Sequence, residues 1–420
     1  MTPSYGVISD DFTGGLLIAS YFEEAGLECP VFFDPAEAMA AGPLSAPIVV
    51  IASRTRLIPV EEARADLTAA LDALDALGCG TIAYKACASF DSTEEGNIGP
   101  AADLLSDRYD QVPLLLSAGF PEFRCTVAMG HLFYQSVLVN ESVKRFDPVT
   151  PMPDPNLVRF LSRQTRTPLG HVSHLELVQG EAVARQALEG EVAKGHRHVL
   201  LDCADDHDVE ISTLLARGVR ALVVSDPLCV AAGLDRGAGR TGTAAPPRHA
   251  DGPAAVLVGS VGPVAEQQTA AFEAQHPVLR IDLTADDTEE AQIAAATDWA
   301  RSHVGQRPFA VTTLSDETGV KAAQARYGRL GAARRAERLL SGLAAALHGA
   351  GVRRFIVSGG ETSGAVVGAL GIRRVRPFAR GALGGGFCVT EGADPVSFFL
   401  KSGKLGAMDV LLSALDEMKG

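Results

Sequence analysis

Short apolar runs alternate with longer stretches whose apolar residues recur every three or four positions. The runs Tyr5–Ser9, Ile48–Ala52, Thr81–Lys85, Leu114–Ser117, His198–Asp202 and Ala221–Ser225 are too short for helices, so they predict strands. From Glu61 to about Leu77, the apolar Leu67, Leu71, Leu74 and Leu77 share one helical face, and Gly78 stands where such a helix stops. Residues 233–253 (GLDRGAGRTGTAAPPRHADGP) lose all apolar period and predict a linker. After them the alternation restarts, with strands expected at Ala255–Val258, Val278–Asp282, Phe309–Thr312, Arg354–Val357 and Ser397–Leu400. The pattern predicts an α/β fold of two domains, each a mainly parallel sheet flanked by helices. The expected borders are 1–232 and 254–420, with the active site in the cleft between the domains.

Composition narrows the function. A formal net charge of -14 argues against a nucleic-acid partner, which favours a basic surface. Seven cysteines without a C-x-x-C pair disfavour both a disulfide framework and a zinc knuckle. The first residues lack a basic region before an apolar one, so no signal peptide is expected. No apolar run approaches the ~20 residues of a membrane span. A cytoplasmic protein is the expectation. The sequence does not fix an oligomeric state, and a homodimer is only a working assumption.

In open parallel sheets, ligands sit beyond the carboxyl ends of the strands. In the first half those positions are polar: Asp10-Asp11-Phe12-Thr13-Gly14-Gly15, Ser53-Arg54-Thr55-Arg56, and Lys85 followed by Cys87 to Thr93. Carboxylates, cations and hydroxyls on one rim suit a small polyhydroxylated acid: Arg clamps a carboxylate and Asp orients a hydroxyl. Turn and capping chemistry would also place Asp-Asp before Thr-Gly. In the second half the corresponding loops are rich in glycine, at 258–263, 358–364, 384–386 and 401–406. Glycine loops at helix starts present bare N–H groups and suit phosphates. A Walker P-loop is absent, and the G-x-G-x-x-G at Gly237, Gly239 and Gly242 has no strand before it. His131, among apolar residues, reads as a buried, hydrogen-bonded histidine. His171 and His174 are three apart and lack a nearby Cys or carboxylate constellation of zinc type, so no metal is assigned there.

Several stretches carry a family resemblance. SDDFTGG (9–15), KACASFDSTEEGNIGP (85–100), GHLF (130–133) and TPMPDPNLVR (150–159) are joined by VGSVG (258–262), SGGETSGAVVGALG (358–371) and LKSGKLGAMD (400–409). Over essentially its whole length the sequence resembles the four-carbon acid sugar kinase family. Its FDST and GHLF–TPM stretches look most like members that act on 3-oxo-tetronate. The resemblance implies an N-terminal acid-sugar domain and a C-terminal ATP domain, with Mg2+ as the accompanying ion. It implies ATP contacts at Ser260, Gly359, Gly360, Glu361, Thr362, Ser363 and Gly403. It implies acid-sugar contacts at Asp10, Asp11, Arg54, Lys85, Asp91 and Ser92. Arg54 and Lys85 would hold the carboxylate, and Asp11 or Asp10 would orient or deprotonate the attacking hydroxyl. No metal ligand is assigned.

Three departures from the family pattern stand out. Gly15-Leu16-Leu17 replaces a small polar residue and an aspartate. Lys404-Leu405 stands in the usual KSGNFG, and Arg380-Gly381-Ala382-Leu383 replaces a Pro-Gly-Val-Pro stretch. They leave two alternatives: the same chemistry on a branched sugar such as 3-oxo-isoapionate, or a ligand-binding protein without catalysis. An NAD-dependent oxidoreductase, suggested by α/β architecture alone, is disfavoured by the misplaced glycine string.

Overall fold

The structure is a computed structural model that describes residues 3–147, 149–239, 245–259, 261–313, 317–403 and 406–419. The chain divides into two compact units, Met1–Ala244 and Ala245–Gly420. In the first, the elements follow in the order β1 (Tyr5–Ser9), α1 (Phe12–Glu24), β2 (Val31–Phe32), α2 (Pro35–Ala40), β3 (Ile48–Ala52), α3 (Val60–Ala76), β4 (Thr81–Lys85) and α4 (Ile98–Arg108). They continue through β5 (Leu114–Ser117), β6 (Cys125–Ala128), β7 (His131–Tyr134), β8 (Val137–Leu138), α5 (Leu157–Leu161), β9 (Gly170–Val172), α6 (His174–Leu177) and α7 (Glu181–Ala193). The unit closes with β10 (His198–Leu201), α8 (Asp206–Leu215), β11 (Ala221–Val224) and α9 (Asp226–Gly237).

Its sheet runs β2-β3-β1-β4-β11-β5-β10-β9, and every neighbouring pair is parallel. The central strands are buried along their whole length, as expected when both faces are covered. The predicted helix is α3: its Leu67, Leu71 and Leu74 pack on Ile8, Val49 and Ile82, and Gly78 ends it with φ 78°. A three-stranded antiparallel ribbon, β6-β7-β8, stands apart from the sheet. The sequence did not predict this ribbon, nor β2 and β9, because two to four residues show no period.

The second unit contains β12 (Ala254–Val258), α10 (Pro263–Glu273), β13 (Val278–Arg280), α11 (Glu289–Arg301), β14 (Phe309–Thr312) and α12 (Glu317–Gly349, interrupted at Gly328). It continues with β15 (Arg354–Ser358), α13 (Gly360–Ala369), β16 (Arg374–Pro377), β17 (Phe387–Val389), β18 (Ser397–Lys401) and α14 (Val410–Glu417). Strands β13-β14-β12-β15-β18 are parallel, and β17 and β16 continue the sheet antiparallel. On one face Val256, Ile356 and Phe399 pack against Phe272 of α10 and Leu411 of α14.

Two expectations are corrected. The segment from residue 233 is not linker, because α9 runs on to Gly237. Gly233 is there for contact: a Cβ would lie 2.6 Å from Phe22 Cε1 and Cζ. The cluster Gly384-Gly385-Gly386 precedes no helix. It lies in the connection between antiparallel β16 and β17, and Gly386 leaves room for the Leu400 carbonyl, 2.6 Å from where its Cβ would stand.

The packing of α9 on α1 predicts that Gly233→Ala destabilises the protein by about 1–3 kcal/mol, the usual range for overpacking. Thermal melting should show a lower Tm; an unchanged Tm would mean that residue 233 is not packed.

Candidate active site

In the N-terminal unit the chain ends β1 with two carboxylates. Asp10 is buried, and its carboxylate accepts two hydrogen bonds from Arg56, Nε to Oδ2 and Nη2 to Oδ1, both 2.8 Å. This two-pronged geometry is the strong form of the pair. Asp11 caps α1, accepting from the Gly14 N–H and, at 3.0 Å, from Thr13 Oγ1; Arg56 also pairs with its other oxygen. Burial opposes ionisation of Asp11, but Arg56 and Lys85 outweigh it and bring its pKa down to about 2.

Lys85, the last residue of β4, is buried with its Nζ 3.3 Å from Asp226 Oδ1 on the first turn of α9. Burial works against its charge, but Asp226, Asp10 and Asp11 more than compensate and hold it cationic. Burial raises the pKa of Asp226 despite Lys85. Gly14 lies against this ammonium: a Cβ there would stand 2.6 Å from Lys85 Nζ. The loop bearing Arg56 is pinned by Ser53 Oγ to the Ser9 carbonyl (2.7 Å) and by Asn97 Nδ2 to the Thr55 carbonyl (2.6 Å).

The next loop forms a second polar group. Asp91 accepts from Ser89 Oγ at 2.7 Å and from Lys144, which also lies 5.3 Å from the centre of the Tyr134 ring. Ser92 Oγ accepts from Gln164 Nε2 at 2.9 Å. Cys87 lies within the fields of both Asp91–Lys144 and Asp10–Arg56; burial and Asp91 push its thiol up to about 12, so it stays protonated.

The structure therefore brings Asp10, Asp11 and Lys85 together, with Asp91 and Ser92 on the adjacent loop. Arg54 does not join them. It is exposed, with its guanidinium 5.8 Å from the centre of the Phe12 ring, and Arg56 takes the carboxylates instead. The sequence placed Arg54 and Arg56 together on one rim, and alternation along a short loop does not fix which of the two side chains turns inward. Sequence reading missed Asp226, although that residue follows the end of β11 and the strand-end rule would have found it. It also missed Lys144, which comes from the ribbon excursion.

The histidines need correction. His131 is only half-buried, because one face of the ribbon is open; its Nδ1 lies 2.7 Å from the Met129 carbonyl. His171 and His174 each meet a carboxylate distant in sequence: Asp202, just after β10, at 2.8 Å and Asp208, in the first turn of α8, at 2.9 Å. Donor atoms of His174, Asp205 and Asp208 lie within 4.8 Å of one another. Asp208 is already engaged with His174 and the Ala204 N–H.

In the C-terminal unit the strand ends present backbone. Gly359, with φ 128°, turns the chain from β15 into α13, and Gly360 and Glu361 stand exposed on the first turn. Ser363 turns its hydroxyl inward to the Gly359 carbonyl (2.7 Å). Thr362 is buried; a Cβ on Gly259 would lie 2.2 Å from its Oγ1. What this helix start offers a ligand is therefore N–H groups and the positive end of its dipole. Gly403 follows β18 and is half-buried. Ser260, Lys404 and Leu405 lie outside the described residues.

Comparison with known proteins agrees with this division. Residues 5–234 match the sugar-binding N-terminal domain family, and residues 255–411 match the nucleotide-binding C-terminal domain family. The chain is 36% identical to the 3-oxo-tetronate kinase of Burkholderia multivorans, over 100% of this chain and 98% of that protein. It is 36% identical to the enzyme of the same name from Cupriavidus necator, with the same coverage. A crystal structure from Salmonella typhimurium LT2, described as a putative tRNA synthase, is similar with a TM-score of 0.85 and 32% identity, covering 98% of this chain and 99% of that one. Fold and site define a two-unit α/β protein with a sugar-binding half and a nucleotide-binding half. The chain belongs to the four-carbon acid sugar kinase family.

The low pKa of Asp11 carries a pH signature. Its carboxyl titrates near 2 when folded, against 3.8 as its ordinary value. The folded state thus binds this proton less readily, so the contribution is full above about pH 4 and is lost as pH falls through about 2. Asp11→Asn should cost on the order of 2 kcal/mol at pH 7. Urea melts from pH 7 to pH 3 should show the gap to wild type narrowing at the acid end; a constant gap would contradict the assignment.

Proposed function

We propose that the protein is an ATP-dependent kinase that phosphorylates the terminal hydroxyl of a small oxo acid sugar. The acceptor is 3-oxo-tetronate and the product 3-oxo-tetronate 4-phosphate, made in the cytoplasm. The observation that carries this reading is full-length similarity to 3-oxo-tetronate kinases, combined with the Asp10–Asp11–Lys85 cluster at the strand ends of the sugar-binding half.

In phosphoryl transfer the protein mainly positions groups and stabilises charge. Asp11 and Asp10 orient the acceptor hydroxyl, Asp11 first. A carboxylate with a pKa near 2 is a weak base, but it is a permanently charged hydrogen-bond acceptor. The attacking oxygen needs little more when its proton leaves late. Arg56 and Lys85 fix the two carboxylates. With the charge of Lys85 balanced by Asp226, Asp10 and Asp11, the sugar carboxylate falls to Arg54 on the rim, and Asp91 and Ser92 meet the hydroxyls. On the nucleotide side, the N–H groups of Gly359 to Ser363 and the loops at Ser260 and Gly403 receive the phosphates. Mg2+ favours hard oxygen donors and binds mostly through phosphates with one or two carboxylates. Glu361, on the first turn of α13, is a carboxylate beside the glycine loop that would receive the phosphates. Glu361 would hold the ion there, and the ion would supply charge neutralisation on the phosphates.

A branched substrate was suggested by Leu16 and Leu17. Leu16 is fully buried and Leu17 packs against the core, so the change serves packing and gives no reason to prefer a branched sugar.

The test is a panel of acid sugars with coupled ADP detection. 3-Oxo-tetronate should give the highest kcat/KM, above 3-oxo-isoapionate. Nucleotide binding without ADP release across the panel would instead mark a binding protein. Asp11→Asn should lower kcat about a hundredfold or more, as for loss of a positioned acid–base group, with ATP affinity nearly unchanged. Wild-type turnover in that variant would remove Asp11 from the mechanism.

A further inference from the structure

Three lysines that are buried or half-buried differ in their company. Lys85 lies against Asp226, and Lys144 against Asp91. Lys401, the last residue of β18, is only 6% exposed, yet its Nζ meets two neutral groups: Gln268 Oε1 at 2.9 Å and Ser358 Oγ at 3.1 Å. No carboxylate pairs with it among the described residues. The acidic groups on the helices around this strand end are Glu266 and Glu273 of α10, Glu361 of α13, and Asp409, Asp416 and Glu417 of α14; none ion-pairs with Nζ. The basic Arg354 stands at the other end of β15, in register with Ser397, and is bonded to the Gly252 and Met418 carbonyls. A buried charge without a counter-charge is costly, and the geometry shows it was not left to chance. Gln268 is itself buried and fixed, with its Nε2 donating to the Gly406 and Ala407 carbonyls at 3.0 Å each. An ammonium has three donors, and two are used.

The place matters as much as the pairing. The Lys401 carbonyl accepts from the Gly359 N–H, and Ser358 is the residue just before Gly359. Lys401 therefore sits at the root of both the 358–364 loop and the loop that follows β18. We propose that Lys401 is a phosphate-binding residue of the nucleotide site, seated on neutral ligands so that the phosphate chain supplies its counter-charge. This rests on the reading of the C-terminal unit as the ATP site. Burial lowers the pKa of Lys401 to about 8, so the group is poised to take up a proton when an anion arrives.

Calorimetry of ATP binding to the full chain tests this at pH 8, in two buffers of different ionisation enthalpy. Wild type should bind ATP with uptake of on the order of half a proton. Failure of wild type to bind ATP would strike the functional reading itself. Lys401→Met should weaken ATP at least about tenfold, as for a lost charge-assisted hydrogen bond, and abolish the proton uptake. Its thermal melt without nucleotide shows whether it folds. Lys401→Arg keeps the charge and should retain ATP binding better than Lys401→Met while also losing the uptake. ATP affinity within threefold of wild type in folded Lys401→Met, or undiminished proton uptake in either variant, would overturn the proposal.

Discussion

One buried ammonium organises the N-terminal unit. Lys85 ends β4, and around it stand the carboxylates of Asp10 and Asp11 at the end of β1 and Asp226 after β11. Three carboxylates gathered at neighbouring strand ends would repel one another; Lys85 and Arg56 turn that repulsion into attraction. The closeness reaches the backbone, since a Cβ at Gly14, in the first turn of α1, would stand 2.6 Å from Lys85 Nζ. Asp11 serves twice, as helix cap and as part of this charge cluster. The residues that make α1 begin where it does are thus the same residues proposed to meet the substrate.

The C-terminal unit uses another currency for the same task. Its strand ends carry few charges and many glycines, and among the described residues they present the N–H groups at the start of α13 and Lys401, whose Nζ has neutral partners. This contrast resolves an apparent conflict. A chain of formal charge -14 can receive anions, because helix starts and a few placed cations act locally while net charge acts at long range.

Much of this was legible in the sequence, for identifiable reasons. Five-residue apolar runs such as Ile48–Ala52 and Thr81–Lys85 sit in the middle of a sheet covered on both faces, where the signal is strongest. Asp10, Asp11 and Lys85 were legible because ligands gather at strand ends. What stayed hidden depends on three-dimensional contact. Nothing in Ser53-Arg54-Thr55-Arg56 says that Arg56 turns in and Arg54 out. The ribbon β6-β7-β8, which precedes the segment that delivers Lys144, has strands too short to show a period. Gly233 and Gly386 read as loop residues, yet one packs under Phe22 and the other under the Leu400 carbonyl. His171 and His174 looked isolated because Asp202 and Asp208 lie some thirty residues away in sequence.

The central claim is that the two units carry out one phosphoryl transfer, to the terminal hydroxyl of a four-carbon oxo acid. Phosphorus NMR of the purified protein with ATP, Mg2+ and 3-oxo-tetronate tests it most directly. The account predicts a phosphomonoester resonance coupled to the two protons of one methylene group, growing in step with ADP. Release of inorganic phosphate alone, or ATP left intact beside the sugar, would contradict it.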